Sequence, residues 1–357
     1  MEQAKNRLVL LGSLGYTGAG IAYRHEHAKS IHFCRRGSSA IYVSCMGQLL
    51  YAILKAARPR QWLKNLALFT TIFFTGHLFN TSLLSDSLLG FVAFCFLSSS
   101  NYILNDVLDA PADRRHPFKK FRPVASGKLP VKTALLVSLL LLVSGLGIAQ
   151  IIGQTFFLFS LVFILLQYSY SIILKHISVI DIVAITAGYV LRVYAGEAAS
   201  GYHISIWLAL AALSLALFLA IGKRRAELTL IQGSGDASPK DTRAALSHYS
   251  EKLLDAYTSM FATSTFISYT YFTFLERPIT QGLIFKNYSD FVIGIPDRKW
   301  MMMTIPFVLY GIMRYMQLIY HGKGESPEQV LTTDLPLLST VILWTGAAFF
   351  VIYGIGG

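Results

Sequence analysis

Charge is scarce in this chain. Only 14% of its 357 residues are Asp, Glu, Lys or Arg, and 54% are hydrophobic. A soluble domain carries about 25% charged residues, so the deficit excludes an ordinary soluble enzyme and places the chain in the membrane class. Cysteine is scarce too. Cys34, Cys45 and Cys95 have no metal-ligand spacing, and their odd number argues against a disulfide framework. No pair of histidines suggests acid–base chemistry. No internal repeat of the kind that builds transporters is visible. No segment is long and polar enough for a soluble domain, and Gly233–Pro239 reads as a flexible loop.

What is present is a net charge of +12. It does not indicate nucleic acid, because the cations gather in short loops between apolar runs, where positive-inside topology puts them. About nine runs approach the ~20 residues that a bilayer helix needs. They fall near 64–82, 85–105, 131–151, 153–174, 178–198, 205–222, 253–274, 300–320 and 334–354. The fold class expected is all-α, a polytopic membrane protein. The 106–132 and 223–252 loops hold most of the cations, while those near 80–84 and 199–204 hold no Lys or Arg. The orientation expected is therefore N-terminus inside and C-terminus outside, in the cell membrane.

Residues 1–45 differ from the rest. Their apolar run at 8–23 is interrupted by Gly12, Gly15, Gly18 and Gly20, which suits neither a span nor a signal peptide. This stretch is expected to be a dispensable extension, with the integral-membrane domain at 46–357. Leu49, Leu50, Ile53 and Leu54 then recur at helical spacing and predict a short amphipathic helix on the membrane surface.

The chemistry concentrates at 98–127, SSSNYILNDVLDAPADRRHPFKKFRPVASG. Asn105, Asp109 and Asp113 are spaced i, i+4, i+8, on one helical stripe, with Asp106 beside them and Tyr102 a turn earlier. Pro111 predicts a break near Asp109. Magnesium takes one or two carboxylates plus waters and substrate phosphate oxygens. Four metal-capable side chains within nine positions, in a chain with 19 acids, fit that demand. Lys119, Lys120 and Arg122 follow at once and suit phosphate. The bland reading, an acidic helix end beside a topology-setting loop, does not explain why the cations come directly after the acids.

Further candidates are scattered. Arg58-Pro-Arg-Gln-Trp-Leu-Lys64 reads either as an interfacial anchor with Trp62 in the aromatic belt or as a phosphate rim with Lys64 pointing inward. Tyr168 and Lys175 close the fourth run. Asp181 and Arg192 lie eleven residues apart, close to one face of the fifth. An arginine inside a span is a functional hypothesis by default, with a helix carbonyl or Glu197 as structural alternatives. Lys223, Arg224 and Arg225 end the sixth run. Arg314 and Tyr315 are weaker candidates.

The N-D-x-x-D-x-x-x-D run at 105–113, the R-P-V-A-S-G at 122–127 and the span layout resemble the UbiA-type prenyltransferase superfamily, from about residue 47 to the end. RPRQWLKN at 58–65, DRRHPFKKFRP at 113–123, YSIILKH at 170–176, DIVAITAGYVLRVYAGE at 181–197 and GKRRAE at 222–227 are similar to its phosphoribosyltransferase branch, which acts on polyprenyl phosphates. The resemblance implies Mg²⁺ dependence and a central cytosol-facing cavity open to lipid. The superfamily's aromatic prenyl transferases usually carry a second D-x-x-x-D pair. Here Ile185 stands four residues after Asp181. That suits one diphosphate, on phosphoribosyl pyrophosphate, and one monophosphate, on a polyprenyl phosphate.

The resemblance thus assigns Asn105, Asp109 and Asp113 to the metal and Asp106 to that shell or the ribose hydroxyls. Lys64, Lys119 and Arg122 are expected on donor phosphates, and Tyr168, Lys175 and Arg192 on the acceptor, with Tyr102 and Asp181 among the substrate-binding residues. An aromatic prenyltransferase and a transporter are the alternatives weighed.

Overall fold

The computed structural model describes residues 39–115, 119–233, 248–276, 300–321 and 326–355. The readings made on 1–38, on 234–247 and on 277–299 lie outside the described residues. Among the described residues every regular element is helical.

Helix α1, Ser39–Ala57, runs through Met46 without a break. It buries Ala52 and Ala56 against the bundle and turns Leu50, Tyr51 and Leu54 outward. It therefore packs against the protein on its small-residue face as well as offering an apolar face to lipid.

The first expected span is not one helix. Pro59–Phe69 forms a 3₁₀ segment, α2 follows at Thr70–Phe74, and the chain then turns. The cause is tertiary. A Cβ added to Gly196 would lie 2.0 Å from the Leu68 carbonyl oxygen, so this backbone presses directly on its neighbour. Buried Asn65 bonds both ways, to Cys95 Sγ at 3.3 Å and from Arg192 Nε at 2.7 Å. Irregular backbone at membrane depth is tolerated only where protein or a cavity surrounds it. Trp62 donates to Ser99 Oγ at 3.0 Å, so its polar edge is turned to the bundle and not to the aromatic belt.

The remaining helices are α3 (Thr81–Leu108), short α4 (Ala110–Asp113), α5 (Val131–Ile152), α6 (Gln154–Ile172), α7 (Ile180–Ser200), α8 (Ile206–Gly233), α9 (Glu251–Leu275), α10 (Ile305–Tyr320), short α11 (Pro327–Thr333) and α12 (Leu335–Phe349). Seven helices among the described residues are long and apolar enough to cross a membrane. Helix α9 is long enough but carries many hydroxyls. Thr258, Thr265 and Thr270 return theirs to the carbonyl one turn back, at 2.7, 2.7 and 2.8 Å.

Helix α3 is central, with 61% of its apolar window buried against 17% for α5. Between membrane helices, small residues and interhelical hydrogen bonds replace a hydrophobic drive. Ser100 Oγ donates to the Ser138 carbonyl at 2.8 Å, and Ser138 Oγ returns the bond to the Ser100 carbonyl at 2.9 Å. Gly145 lets Leu97 approach, since a Cβ there would meet it at 2.9 Å. Phe94, Phe156 and Phe163 fill the space between α3, α6 and α7. This packing fixes the end of α3, where the acids stand.

Candidate active site

Helix α3 ends at Leu108, and Asp109 is its C-cap. Pro111 sits in the first turn of α4, as the sequence predicts, and the Asp113 amide still donates to the Asp109 carbonyl at 2.8 Å. The chain therefore stays nearly helical through the break and keeps the acids on one side. Asp113 is not on an open turn: it is 4% exposed and Asp106 is 2% exposed.

Each acid meets a cation. Arg122 Nη1 lies 2.7 Å from Asp113 Oδ2 and 3.4 Å from Asp106 Oδ1. Arg58 also pairs with Asp106, its guanidinium 5.3 Å from the Tyr102 ring centre. Arg58 holds φ at 53°, a left-handed conformation that costs about 1–2 kcal/mol in a non-glycine residue. Strain of this kind persists where surrounding contacts impose it. Asn105 Nδ2 donates to Asp109 Oδ2 at 2.8 Å. Lys175 Nζ reaches Asp109 Oδ1 at 2.8 Å and Asn105 Oδ1 at 3.5 Å. Lys119 lies in a 3₁₀ turn, Lys119–Phe121, just before Arg122.

Lys175 is held by a strained connection. Val179 has φ 67° and ψ −46°, and the Ile180 amide donates to the Ser178 carbonyl at 2.8 Å, a γ-turn of the rare positive-φ form. Tyr249 clamps it. Its hydroxyl accepts from the Val179 amide at 2.6 Å and donates to Asp181 Oδ1 at 2.8 Å. Burial pushes the Tyr249 phenol above its usual range, so it stays protonated and able to donate. Arg224 Nε takes the other Asp181 oxygen at 2.6 Å and contacts Glu227 at 2.6 Å and Tyr170 at 3.1 Å. Asp181 is fully buried, so both of its oxygens serve the fold. The cause is the length of α8. Arg224 and Arg225, read in the sequence as the end of a span, sit inside a helix that continues to Gly233. Arg225 joins Asp255 at 2.7 Å and Thr229 at 2.6 Å. Arg314 is likewise structural, gripping Asp334 at 3.1 and 2.8 Å.

The other candidates are not brought together as expected. Arg192 is buried, donates to the Gly188 carbonyl at 2.6 Å and to Asn65, and lies over the Phe163 ring at 4.6 Å. Tyr168 bonds Ser100 Oγ at 3.0 Å. Lys64 leaves the acid cluster for the end of an apolar cavity of about 480 Å³. There it lies 3.5 Å from Glu328 Oε2 and 5.9 Å from the Tyr189 ring centre. Sequence reasoning missed Glu328, Tyr189 and Tyr249. Glu328 has no spacing relation to the acid run, and its one signal was an acid beside Pro327 in a chain poor in acids.

Among the described residues no three His, Cys, Asp or Glu side chains close on one point. Yet Asn105 Oδ1 and Asp109 Oδ1 already share one cation, Lys175 Nζ. Their donors are hard oxygens, with Asp113 one turn on. Magnesium needs only one or two such carboxylates, so the residues fit it.

Residues 65–226 match the UbiA prenyltransferase family. The decaprenyl-phosphate phosphoribosyltransferase of Corynebacterium glutamicum is 33% identical over 306 residues, covering 84% of this chain and 86% of that one. The enzyme of the same name from Mycolicibacterium smegmatis is 32% identical over 310 residues, covering 85% and 93%. The structure of a UbiA homologue from Archaeoglobus fulgidus bound to GPP and Mg²⁺ aligns with a TM-score of 0.62 at 22% identity, over 84% of this chain and 99% of that one. The fold is thus the UbiA fold, and the chain belongs to the UbiA prenyltransferase family. It is a membrane-integral transferase, similar over most of its length to proteins named decaprenyl-phosphate phosphoribosyltransferase.

Proposed function

We propose that this transferase moves the 5-phosphoribosyl group of phosphoribosyl pyrophosphate onto a polyprenyl phosphate and releases pyrophosphate. The observation that carries the reading is one element joining a charged cluster to an apolar cavity. The 3₁₀ segment begins beside Arg58, on the acid cluster, and presents Lys64 to the apolar cavity. Six residues at about 2.0 Å rise put the two about 12 Å apart along the segment. A cluster of paired charges suited to a phosphorylated sugar therefore lies one short segment from an apolar cavity suited to a lipid. The names of the relatives point to the same pair of substrates.

In this reading Arg58, Lys119, Arg122 and Lys175 bind the donor, and Lys64 turns to the lipid phosphate. Asn105, Asp109 and Asp113 would hold Mg²⁺, which when bound neutralises the departing pyrophosphate. Asp106 is held between Arg58 and Arg122 and orients both. Tyr102 supports Arg58. Tyr168, Asp181 and Arg192 keep the surrounding helices in register. The bond broken joins the anomeric carbon to pyrophosphate, and the bond formed joins it to a lipid phosphate oxygen. That oxygen is already anionic near pH 7, so no side chain has to take its proton. The residues supply position and field. The product, a polyprenylphosphoryl-5-phosphoribose, would feed lipid-linked pentose for the cell envelope. The basic loops support a site on the cytosolic face of the cell membrane.

The test combines membranes containing the protein, Mg²⁺, labelled phosphoribosyl pyrophosphate and polyprenyl phosphate. Label should enter the organic phase only when all are present. If label stays aqueous while a prenyl diphosphate reacts with an aromatic acid, the reading fails.

A further inference from the structure

The apolar cavity has one polar end. Lys64 and Glu328 are the only charged residues among the described ones that line it, and Tyr189 and Tyr315 stand beside them. The contact between the two charges is a long one, 3.5 Å. Tyr315 Oη is buried with no hydrogen-bond partner among the described residues, and Glu328 Oε2, also buried, makes no hydrogen bond among them beyond that long ionic contact. The Glu328 side chain is only 9% exposed. Buried polar atoms without partners carry a cost that a ligand can relieve.

An amphiphile with an anionic head and an apolar tail suits this end. Its tail occupies the cavity, and its head takes donors from Lys64 and Tyr315. Glu328 fits differently, because a carboxylate has only acceptors and repels a phosphate. A phosphate brought to Lys64 is therefore repelled by Glu328, and the two compete for its charge.

We propose that Glu328 is an internal counter-anion that competes with the lipid phosphate for Lys64. The proposal rests on the reading above that the acceptor is a polyprenyl phosphate. It gives the competition a use. A phosphate monoester carries about −1.5 to −2 at neutral pH, whereas the phosphodiester product carries one charge at that phosphorus. The substrate can displace Glu328 from Lys64, and the product holds Lys64 less strongly. Glu328 then retakes the lysine and favours release. Between turnovers it keeps a half-buried ammonium compensated, which a plain cationic pocket would not.

The experiment measures binding of decaprenyl phosphate to the purified full chain in nanodiscs, with decaprenol as the neutral control and no donor present. Glu328→Gln should bind decaprenyl phosphate roughly tenfold tighter, the scale of one charge-assisted contact. Decaprenol binding should not change. Lys64→Met should erase the preference for the phosphate. Glu328→Asp, which draws the carboxylate back, should move in the same direction by less, and it replaces the Gln variant if that does not fold. Weaker or unchanged phosphate binding in Glu328→Gln overturns the proposal. An equal gain for decaprenol also overturns it, because the cavity has then only changed shape. Binding is read without phosphoribosyl pyrophosphate, so a failure of the transfer reaction and a failure of this competition are separate results.

Discussion

Lys175 Nζ stands 2.8 Å from Asp109 Oδ1, joining the two stretches of the chain that carry the strongest motifs. The lysine is about nine-tenths buried, and the acid is 31% exposed. The cation is therefore held by the fold, while the carboxylate is partly exposed. A divalent ion arriving at Asp109 would release Lys175 toward the donor's phosphates.

The first prediction concerns that lysine. Lys175→Ala should raise the KM for phosphoribosyl pyrophosphate roughly tenfold to a hundredfold, the scale of one charge-assisted contact at about 1.5–3 kcal/mol. The KM for the lipid should change far less. Steady-state kinetics with each substrate varied in turn separates the two. A lysine on the acceptor side would give the reverse pattern.

Asp109 and Asp113 should behave differently from one another. Asp109→Asn removes a carboxylate that is partly exposed, so turnover should fall at least a hundredfold with little change in thermal stability. Asp113→Ala should lose turnover and also stability, because Arg122 loses its 2.7 Å partner in a buried setting. The stability loss should be about 1.5–3 kcal/mol. Thermal unfolding in detergent, run beside the transfer assay, checks both.

Asp181 tests the structural network. Its oxygens hold Arg224 and Tyr249, and both members of the ion pair are fully buried. Removing one partner of a buried pair costs about 3–5 kcal/mol. Asp181→Ala should therefore reduce the yield of folded protein sharply. Tyr249→Phe should do less to the yield but loosen the Val179 turn, and so raise the donor KM through Lys175. Wild-type stability in Asp181→Ala would remove the network from the account.

The elements legible in the sequence were those whose cause is local. Helices α3, α5, α6, α7 and α12 lie close to the runs that predicted them, because length and apolarity alone decide a span. The acid run was legible because helical spacing puts Asn105, Asp109 and Asp113 on one stripe. The break at Pro59–Phe69 was not, since it comes from Gly196 admitting the Leu68 carbonyl and from Arg192 holding Asn65. The extension of α8 was hidden for a related reason. A cluster such as Lys223–Arg225 usually marks the end of a span, but here Asp181, Glu227 and Asp255 neutralise it within the bundle. The sequence leaves Lys64 between an interfacial anchor and an inward-pointing cation, because the cavity it lines needs the distant helices α8, α10, α11 and α12.

Arg122 carries the last prediction. One of its nitrogens lies within 2.7 Å of Asp113 and 3.4 Å of Asp106, and Arg58 approaches Asp106 from the other side. Arg122→Ala would leave Asp113 without this partner, and lost folding could then be mistaken for lost binding. Arg122→Lys is the cleaner probe. It keeps the charge, so the acids stay compensated and thermal stability should change by less than about 1 kcal/mol. It removes the planar fork, and a lysine cannot grip a phosphate bidentately. If Arg122 turns its other nitrogens to the donor, the variant should raise the KM for phosphoribosyl pyrophosphate roughly tenfold. If the donor's pyrophosphate meets the acids through Mg²⁺, the Mg²⁺ concentration for half-maximal rate should rise with it. The lipid KM should stay within about twofold, since Lys64 lines the apolar cavity and Arg122 does not. A variant with normal donor and metal dependence would make Arg122 a structural clamp for Asp106 and Asp113. Donor recognition would then fall to Arg58, Lys119 and Lys175.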